Sequence, residues 1–412
     1  MNQKGFAVIF VVLGIILVIG IAAGAYYFGK LGKVNSPQVQ QNQFTNQNNN
    51  PTQPPSLPTN AKTTPAKPSN INKLTFIQNG DVTVLDLKTN QTKKITSYGY
   101  NTLPIISPDN LKVAYLSIPQ VAVNSGKVSK GDGSFGPPYS YGEYQDVRNV
   151  WIINADGSNP IQVTVDPKKR ASITWSADSS KIAFEEESGI AEYSLNNKTK
   201  TTLVPNGTNP VYSPTNSYMA YLTNNGKTIV LRLGSQEKRI DRSNRVSDFN
   251  WSQSEDKLFY TSLNQKDQKG TSSLGVKFSI WAYSLVNGTE KQITDEQMNI
   301  SSPTVSPNGS YIVANQGSGY ADAGNIDLSS VVVGLNNDLV ITKQLKLTDF
   351  KGPDYFEKEK QYMFPTGNVV WVNDKEFLIM LSELLEPKPN PRGLYKLNVE
   401  TLTAERLFEL QY

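Results

Sequence analysis

SPDNLKVAY, from Ser107 to Tyr115, decides the fold because the chain repeats it. The same frame returns as SADSSKIAF (Ser176 to Phe184), SPTNSYMAY (Ser213 to Tyr221), SQSEDKLFY (Ser252 to Tyr260) and SPNGSYIVA (Ser306 to Ala314). A last copy, VNDKEFLIM (Val372 to Met380), keeps only the pattern. Each copy is a polar turn followed by a short β-rich run. An apolar residue stands before each: Ile106, Trp175, Tyr212, Trp251, Val305 and Trp371. The two shortest spacings between copies are 37 and 39 residues, close to the roughly 40–45 residues of a four-stranded propeller blade. The spacings of 69, 54 and 66 residues are the same unit carrying insertions.

One uninterrupted unit shows the strand logic. Ser172 to Trp175 is a first strand, Ala177 to Ser180 a turn, Lys181 to Glu185 the second strand, Gly189 to Leu195 the third and Thr201 to Val204 the fourth. Val, Ile, Tyr, Phe and Thr runs bounded by Asn, Asp, Gly and Ser read as short strands and tight turns. The hairpin after each phrase also recurs: VWIINADGSNPIQVT (Val150 to Thr164), SIWAYSLVNGTEKQIT (Ser279 to Thr294) and LYKLNVETLTAERL (Leu394 to Leu407). No segment after residue 30 carries a helical period, which excludes helical repeats. Lys73 to Ile77 (KLTFI) matches a second strand, and Asp81 to Leu87 and Thr92 to Thr96 match a third and fourth. The first strand of that unit is missing, since Pro65 to Asn72 is polar and proline-bearing. The expected fold is all-β: a propeller of four-stranded antiparallel blades, preceded by one transmembrane helix. Seven blades are expected, with six as the alternative if the first unit docks irregularly. Ring closure is expected to be unusual, because the last unit ends on its own fourth strand near Leu410.

The phrase SPD-x-x-K-[VI]-A-[YF], with its following strand, D-G-S-N turn and run ending in Thr, resembles the TolB-type β-propeller repeat. The resemblance covers residues 73–410 and is specific for fold more than for function. It implies an extracytoplasmic binding scaffold, although the same repeat also caps some peptidases of the prolyl-oligopeptidase type.

Composition removes whole classes of chemistry. The chain of 412 residues has 40 basic and 36 acidic side chains, a net charge of +4. That balance, without a dense basic run, argues against a nucleic-acid partner. There is no cysteine, so disulfides and thiol catalysis are excluded. There is no histidine either, so a Ser-His-Asp triad and a histidine-held metal are impossible. No cofactor, metal or catalytic residue is expected.

Residues 1–5 form a short tail. Phe6 to Phe28 is an uncharged, predominantly apolar run, long enough for the roughly 20 residues a bilayer core requires. It reads as a retained signal anchor, or as a signal peptide cleaved at Ala23-Gly24-Ala25. Residues 29–72 are an Asn-, Gln-, Pro- and Thr-rich linker that cannot bury enough apolar surface to order itself. Residues 73–412 are the propeller. The expected location is the cell membrane, single-pass, with the propeller on the extracytoplasmic side.

The insertions all fall on one side. Ser117 to Asn149, Ser262 to Lys277, Gln316 to Leu328 and Glu383 to Arg392 join second to third strands, and Asp349 to Thr366 joins a fourth strand to the next first strand. In an antiparallel blade these connections share a face. Long loops on a rigid scaffold are where binding usually resides. Two of the five are aromatic, SFGPPYSYGEY and DYFEKEKQYMF. The candidate binding surface is therefore Phe135, Tyr139, Tyr141, Tyr144, Tyr320, Tyr355, Phe356, Tyr362 and Phe364, since tyrosine offers large contact area and a hydroxyl. The same aromatics would alternatively fold back to cover the ring. The function expected is a non-catalytic scaffold for a protein or cell-envelope polymer. The alternative is a carbohydrate-active enzyme or lectin-like polysaccharide binder using the same face.

Overall fold

The computed structural model describes residues 72–129, 138–264, 277–295, 297–316, 329–353, 356–357, 363–365, 369–383 and 392–410. The chain divides into units Met1–Ser56 and Leu57–Tyr412, and every described residue lies in the second. The expected membrane helix and all but the last residue of the linker fall outside the described residues. Among the described residues no helix is long and apolar enough to cross a membrane.

Seven antiparallel sheets follow one another along the chain. Blade 1 has three strands, Lys73–Gln78, Asp81–Asp86 and Gln91–Lys94. Blade 2 comprises Asn101–Ile106, Lys112–Ser117, Asn149–Asn154 and Ile161–Gln162, and blade 3 comprises Arg170–Trp175, Lys181–Glu186, Gly189–Ser194 and Thr199–Pro205. Blades 4, 5 and 6 begin at Thr208, Arg245 and Ile300 and repeat the four-strand order. In blade 7 the first strand is split into Met363–Pro365 and Val370–Trp371, and Glu376–Glu383, Arg392–Asn398 and Thr403–Leu410 follow. Seven blades, with a three-stranded first one, is the expected count. Among the described residues the helical content consists of short turns, such as Gln120–Asn124 inside the first insertion.

The repeated phrase folds the same way each time. The serine that opens it is buried in five copies: Ser107, Ser176, Ser213, Ser252 and Ser306. Its hydroxyl accepts from the backbone N–H five residues on, at 2.9 Å in Lys112, Lys181 and Tyr218 and 3.0 Å in Lys257 and Tyr311. The fourth residue of the phrase takes positive φ in every one of these copies: Asn110, Ser179, Asn216, Glu255 and Gly309. This left-handed conformation disfavours most side chains and suits Asn and Gly. The residue also links blades. Asn110 Oδ1 accepts from Lys73 N (3.2 Å), Ser179 Oγ from Asp109 N (3.1 Å), and Asn216 Oδ1 from Ala177 N (2.5 Å). A local turn requirement and an inter-blade bond are thus met by one position.

The threonine that ends a fourth strand is equally regular. Thr96, Thr164 and Thr294 accept through Oγ1 from Val82, Val150 and Ile280 N–H, at 2.8, 2.9 and 2.8 Å. The match identifies Asp81–Asp86 as a third strand, so blade 1 lacks the first strand among the described residues. Blades 3, 5 and 7 carry a buried tryptophan at the end of the first strand. Trp175 Nε1 donates to Ile105 O (3.0 Å) and Trp371 Nε1 to Thr304 O (2.9 Å), each in the preceding blade. Trp251 Nε1 reaches Val211 O at 3.4 Å.

Closure is made by side chains. Leu85 of blade 1 packs with Leu378, Met380 and Leu394 of blade 7, flanked by Leu74, Phe76 and Phe408. Among the described residues no strand of blade 7 pairs with blade 1. The ring therefore closes on an apolar seam, the packing that protects propeller edges elsewhere.

Candidate functional site

Four of the five insertions lie between second and third strands as expected; the fifth, 349–366, joins blades 6 and 7, but its residues Met363–Pro365 are a strand of blade 7 and not loop. The aromatic residues divide. Tyr139 and Tyr141 are exposed, at 57% and 51%. Tyr139 lies in a small hairpin, Val128–Ser129 against Tyr139–Ser140. Tyr141 donates to Gly126 O at 3.1 Å. Tyr144 is half-buried. Phe135, Tyr320, Tyr355 and Tyr362 lie outside the described residues, and Phe364 is placed in the strand Met363–Pro365. Phe356 overturns its assignment to a binding surface. It is fully buried in the blade 6–7 core. Its ring lies 5.4 Å from that of Tyr395, over Gly352, where a Cβ would meet the ring at 2.6 Å. At this position the aromatic covers the ring of blades.

A cavity of about 360 Å³ opens where the first insertion leaves blade 2, between blades 1 and 2. Blade 1 and its connector supply Thr96 and Tyr98. Blade 2 supplies Asn101, Tyr115, Ser117, Asn149, Trp151 and Gln162, and the root of the insertion supplies Ile118, Pro119 and Gln120. It continues the apolar layer of Val82, Val113, Ile153 and Tyr115 between the two blades.

Local structure explains the placement of the walls. Asn79 and Gly80 both have positive φ, as a two-residue hairpin with an Asn-Gly turn requires. A Cβ on Gly80 would stand 2.0 Å from Gly99 O. Only glycine lets the connector that carries Tyr98 lie against this turn. Buried Asp81 then ties the wall together. Its Oδ1 accepts from Thr96 Oγ1 (3.0 Å), Gly99 N (2.8 Å) and Asn101 Nδ2 (3.3 Å). On the far side, Tyr115 and Trp151 stack at 6.5 Å with planes 14° apart. Ile118 N donates to Tyr100 O at 3.0 Å and pins the root of the insertion.

Two polar atoms here lack a hydrogen-bond partner although buried: Tyr98 Oη and Asn149 Oδ1. Asn149 is only 5% exposed. Buried polar groups are nearly always paired, and neither of these two atoms presents accessible surface to the cavity. No lining residue carries a full charge at neutral pH. Burial raises the Tyr98 hydroxyl above its usual range, with Tyr100 adding to the effect. Burial, then the charge of Asp81, pushes Tyr115 up to about 12.

That shift has a sign that can be checked. The unfolded chain loses the Tyr115 proton near pH 10 and the folded chain holds it to about 12. The stability gained is complete below pH 10 and is lost as pH rises through 12, on the order of 3 kcal/mol. Half-buried Tyr212 and buried Tyr221 and Tyr260 are raised as well, chiefly by desolvation and then by bonds to Glu192, Glu237 and Glu290. Denaturation midpoints are expected to fall steeply between pH 10 and 12, and less steeply in Tyr115→Phe. A flat profile over that interval would contradict this account.

A second polar cluster lies at the same end of blade 3. The Arg170 side chain is fully buried beside Glu186, 3.7 Å from Nε to Oε2. Its Nη1 donates to Arg148 O and Asp166 O, both at 2.8 Å, and Nη2 pairs with Asp166. Lys200 Nζ is 2.9 Å from Glu186 Oε2, and Arg148 Nη1 donates to Ser140 Oγ of the insertion hairpin at 2.7 Å. The cluster anchors the insertion to the scaffold.

Sequence reasoning missed Tyr98, Tyr115, Asn149 and Trp151. Tyr98 and Tyr100 flank Gly99 in a short connector, and Asn149 and Trp151 belong to a strand. None lies within an aromatic-rich loop. Asn149 as the first residue after the longest insertion was the available signal.

No family model and no curated protein sequence matches the chain. Solved structures do. An oligogalacturonate lyase in complex with manganese is similar over 81% of this chain and 88% of its own, at 15% identity and a TM-score of 0.52. A prolyl endopeptidase matches 82% of this chain and 49% of its own, at 13% identity and a TM-score of 0.52. TolB from Acinetobacter baumannii matches 81% and 77%, at 15% identity and a TM-score of 0.42. At such identities the likeness is one of fold. By blade count the chain is a seven-bladed β-propeller.

Proposed function

We propose that this protein is a non-catalytic binding propeller, tethered to the outer side of the cell membrane through residues 6–28, that holds a protein or cell-envelope polymer on its long-loop face. The observation that carries this reading is the cavity between blades 1 and 2, whose lining joins aromatic walls to uncharged polar side chains and holds no carboxylate or amine. General acid–base chemistry needs a titratable group within about 3 Å of the reacting proton. Recognition needs only shape and unfilled hydrogen bonds.

Ser117 and Asn149 face each other across paired strands, so an Asn-Gly turn can replace residues 118–148. The full chain in detergent is expected to retain an envelope component from membrane extract. The shortened chain is expected to stay folded, with a midpoint lowered by the loss of buried Ile118 and Val147 and of the Arg148 carbonyl that Arg170 holds, and to lose that component. Retention of the same component by both would overturn the reading. Turnover of a polysaccharide by the intact chain would put the carbohydrate-active alternative in its place.

A further inference from the structure

We infer that blade 1 is completed by an extended segment of a partner protein, which lies along Lys73–Gln78 as the missing first strand; this ligand class rests on the binding function proposed above.

The inner edge of blade 1 lacks the bonds that close it elsewhere. In five blades the carbonyl at the head of the second strand accepts from the backbone N–H of the phrase serine. These carbonyls are Lys112 O, Lys181 O, Tyr218 O, Lys257 O and Tyr311 O, at 2.8 to 3.0 Å. Lys73 holds the same place in blade 1. Its N–H and its ammonium reach Asn110, but no described residue donates to its carbonyl. Leu87 N donates to Asn72 O at 2.8 Å. By antiparallel alternation Lys73, Thr75 and Ile77 therefore turn their N–H and C=O groups away from Asp81–Asp86. Among the described residues no strand pairs with them on that side. Every residue from Lys73 to Gln78 stays half-buried, whereas the second strands of blades 2 and 3 are mostly buried. Outer edges are common to all the blades. Among the described strands, an open inner edge belongs to blade 1 alone.

Leu103 marks the same place. The first strands of blades 2 to 6 each break register at a residue of positive φ: Leu103, Ser172, Asn209, Asp248 and Ser302. This conformation disfavours leucine. Only beside blade 1 is the residue apolar, and there it is 54% exposed. The carbonyl of the next residue, Pro104, accepts from Thr75 Oγ1 at 3.0 Å, so Leu103 stands next to the open edge. A strained, exposed leucine does nothing for the fold, and strain of this kind is kept where it serves a site. Here it gives an incoming strand an apolar contact.

The edge sets the chemistry of its occupant. A row of alternating N–H and C=O groups is matched by another extended backbone, not by a sugar or an anion. The adjoining parts of this chain do not supply it. Residues 65–72 include Pro65 and Pro68, and proline has no ladder donor. The last strand, Thr403–Leu410, is already paired in blade 7. Register sets the preferred side chain. Ile106 stands opposite Val113 and Trp175 opposite Ile182. Their counterpart in blade 1 is Leu74, which packs in the seam with Val370 and Leu378. The segment therefore carries a large apolar residue opposite Leu74. Trp175 and Trp371 donate to Ile105 O and Thr304 O of the preceding blade. A tryptophan opposite Leu74 would meet Val370 O in the same relation.

The test uses the full chain in detergent micelles and the capped peptide RASITWS, the sequence of residues 170–176. Fluorescence anisotropy of the labelled peptide reads affinity, and amide hydrogen exchange reads the place. A dissociation constant below about 1 mM is expected, with exchange slowed at Thr75 and Ile77. Methylating the peptide nitrogens of its threonine and final serine is expected to weaken binding at least about tenfold, roughly 1.4 kcal/mol. Replacing its tryptophan by alanine is expected to do the same. In the protein, Thr75→Pro removes an edge donor and is expected to weaken binding about tenfold. Leu103→Asn, the residue blade 4 has here, is expected to weaken it about fivefold and to unfold at the same or higher temperature. No binding, equal binding of the methylated peptide, protection outside residues 73–78, or unchanged binding by Leu103→Asn would each overturn the strand site. Binding only after residues 29–64 are replaced by glycine and serine would mean that the chain's own linker holds the edge, and would overturn it too. If an envelope component is held by the intact chain and the peptide does not compete with it, the binding function survives and the strand site does not.

Discussion

Trp175→Ala is expected to lower the stability of the propeller by about 3–5 kcal/mol, the range for deleting a large buried aromatic. Trp175 packs with Leu116, Ile152, Ile182 and Phe184, so its loss opens a void between blades 2 and 3. It also removes the Nε1 donor to Ile105 O. Trp175→Phe keeps much of the volume and loses the bond, and a smaller cost of about 1–2 kcal/mol is expected. Denaturant midpoints of the two variants separate packing from hydrogen bonding. Equal losses would mean that the indole bond, not the filled volume, holds these blades together.

Arg170→Ala is expected to cost about 3–5 kcal/mol, the range for removing one partner of a buried ion pair. The guanidinium satisfies two backbone carbonyls and faces two carboxylates at once. Without it Glu186 keeps Lys200 as a half-buried partner, while the carbonyls of Arg148 and Asp166 lose their donor. Arg170→Lys keeps the charge but not the planar fork, and is expected to recover only part of the loss. Because the pair is buried, added salt should change the deficit little. A deficit that disappears at high salt would show that the cluster behaves as a surface pair.

The blades were legible because their cause is local and repeated. A serine whose hydroxyl caps a turn, a left-handed fourth residue and an apolar strand recur with little change from Ser107 to Ser306. The three described strands of blade 1 were legible for the same reason, from Lys73 onward. The cavity was not legible. Tyr98 and Asn149 meet only because two blades pack side by side, and each residue in its own segment reads as an ordinary connector or strand end. Phe356 misled because exposure was inferred from its place in a long aromatic loop. Gly352 leaves the space into which the phenyl ring turns.

The seam between blades 1 and 7 has a mechanical consequence. A ring locked by a strand shared between its first and last blades resists pulling in shear, because several backbone bonds must break together. Among the described residues this ring has no such lock. Load applied at Asn72, where the chain enters blade 1, is opposed there by the contact of Leu85, Leu74 and Phe76 with blade 7 and by the bonds to Asn110. Tension along the entering chain would peel blade 1 away first and leave the other six blades as an arc. The blade that receives the chain thus meets blade 7 through side chains on one flank and borders the cavity on the other, so the cavity would open as blade 1 leaves.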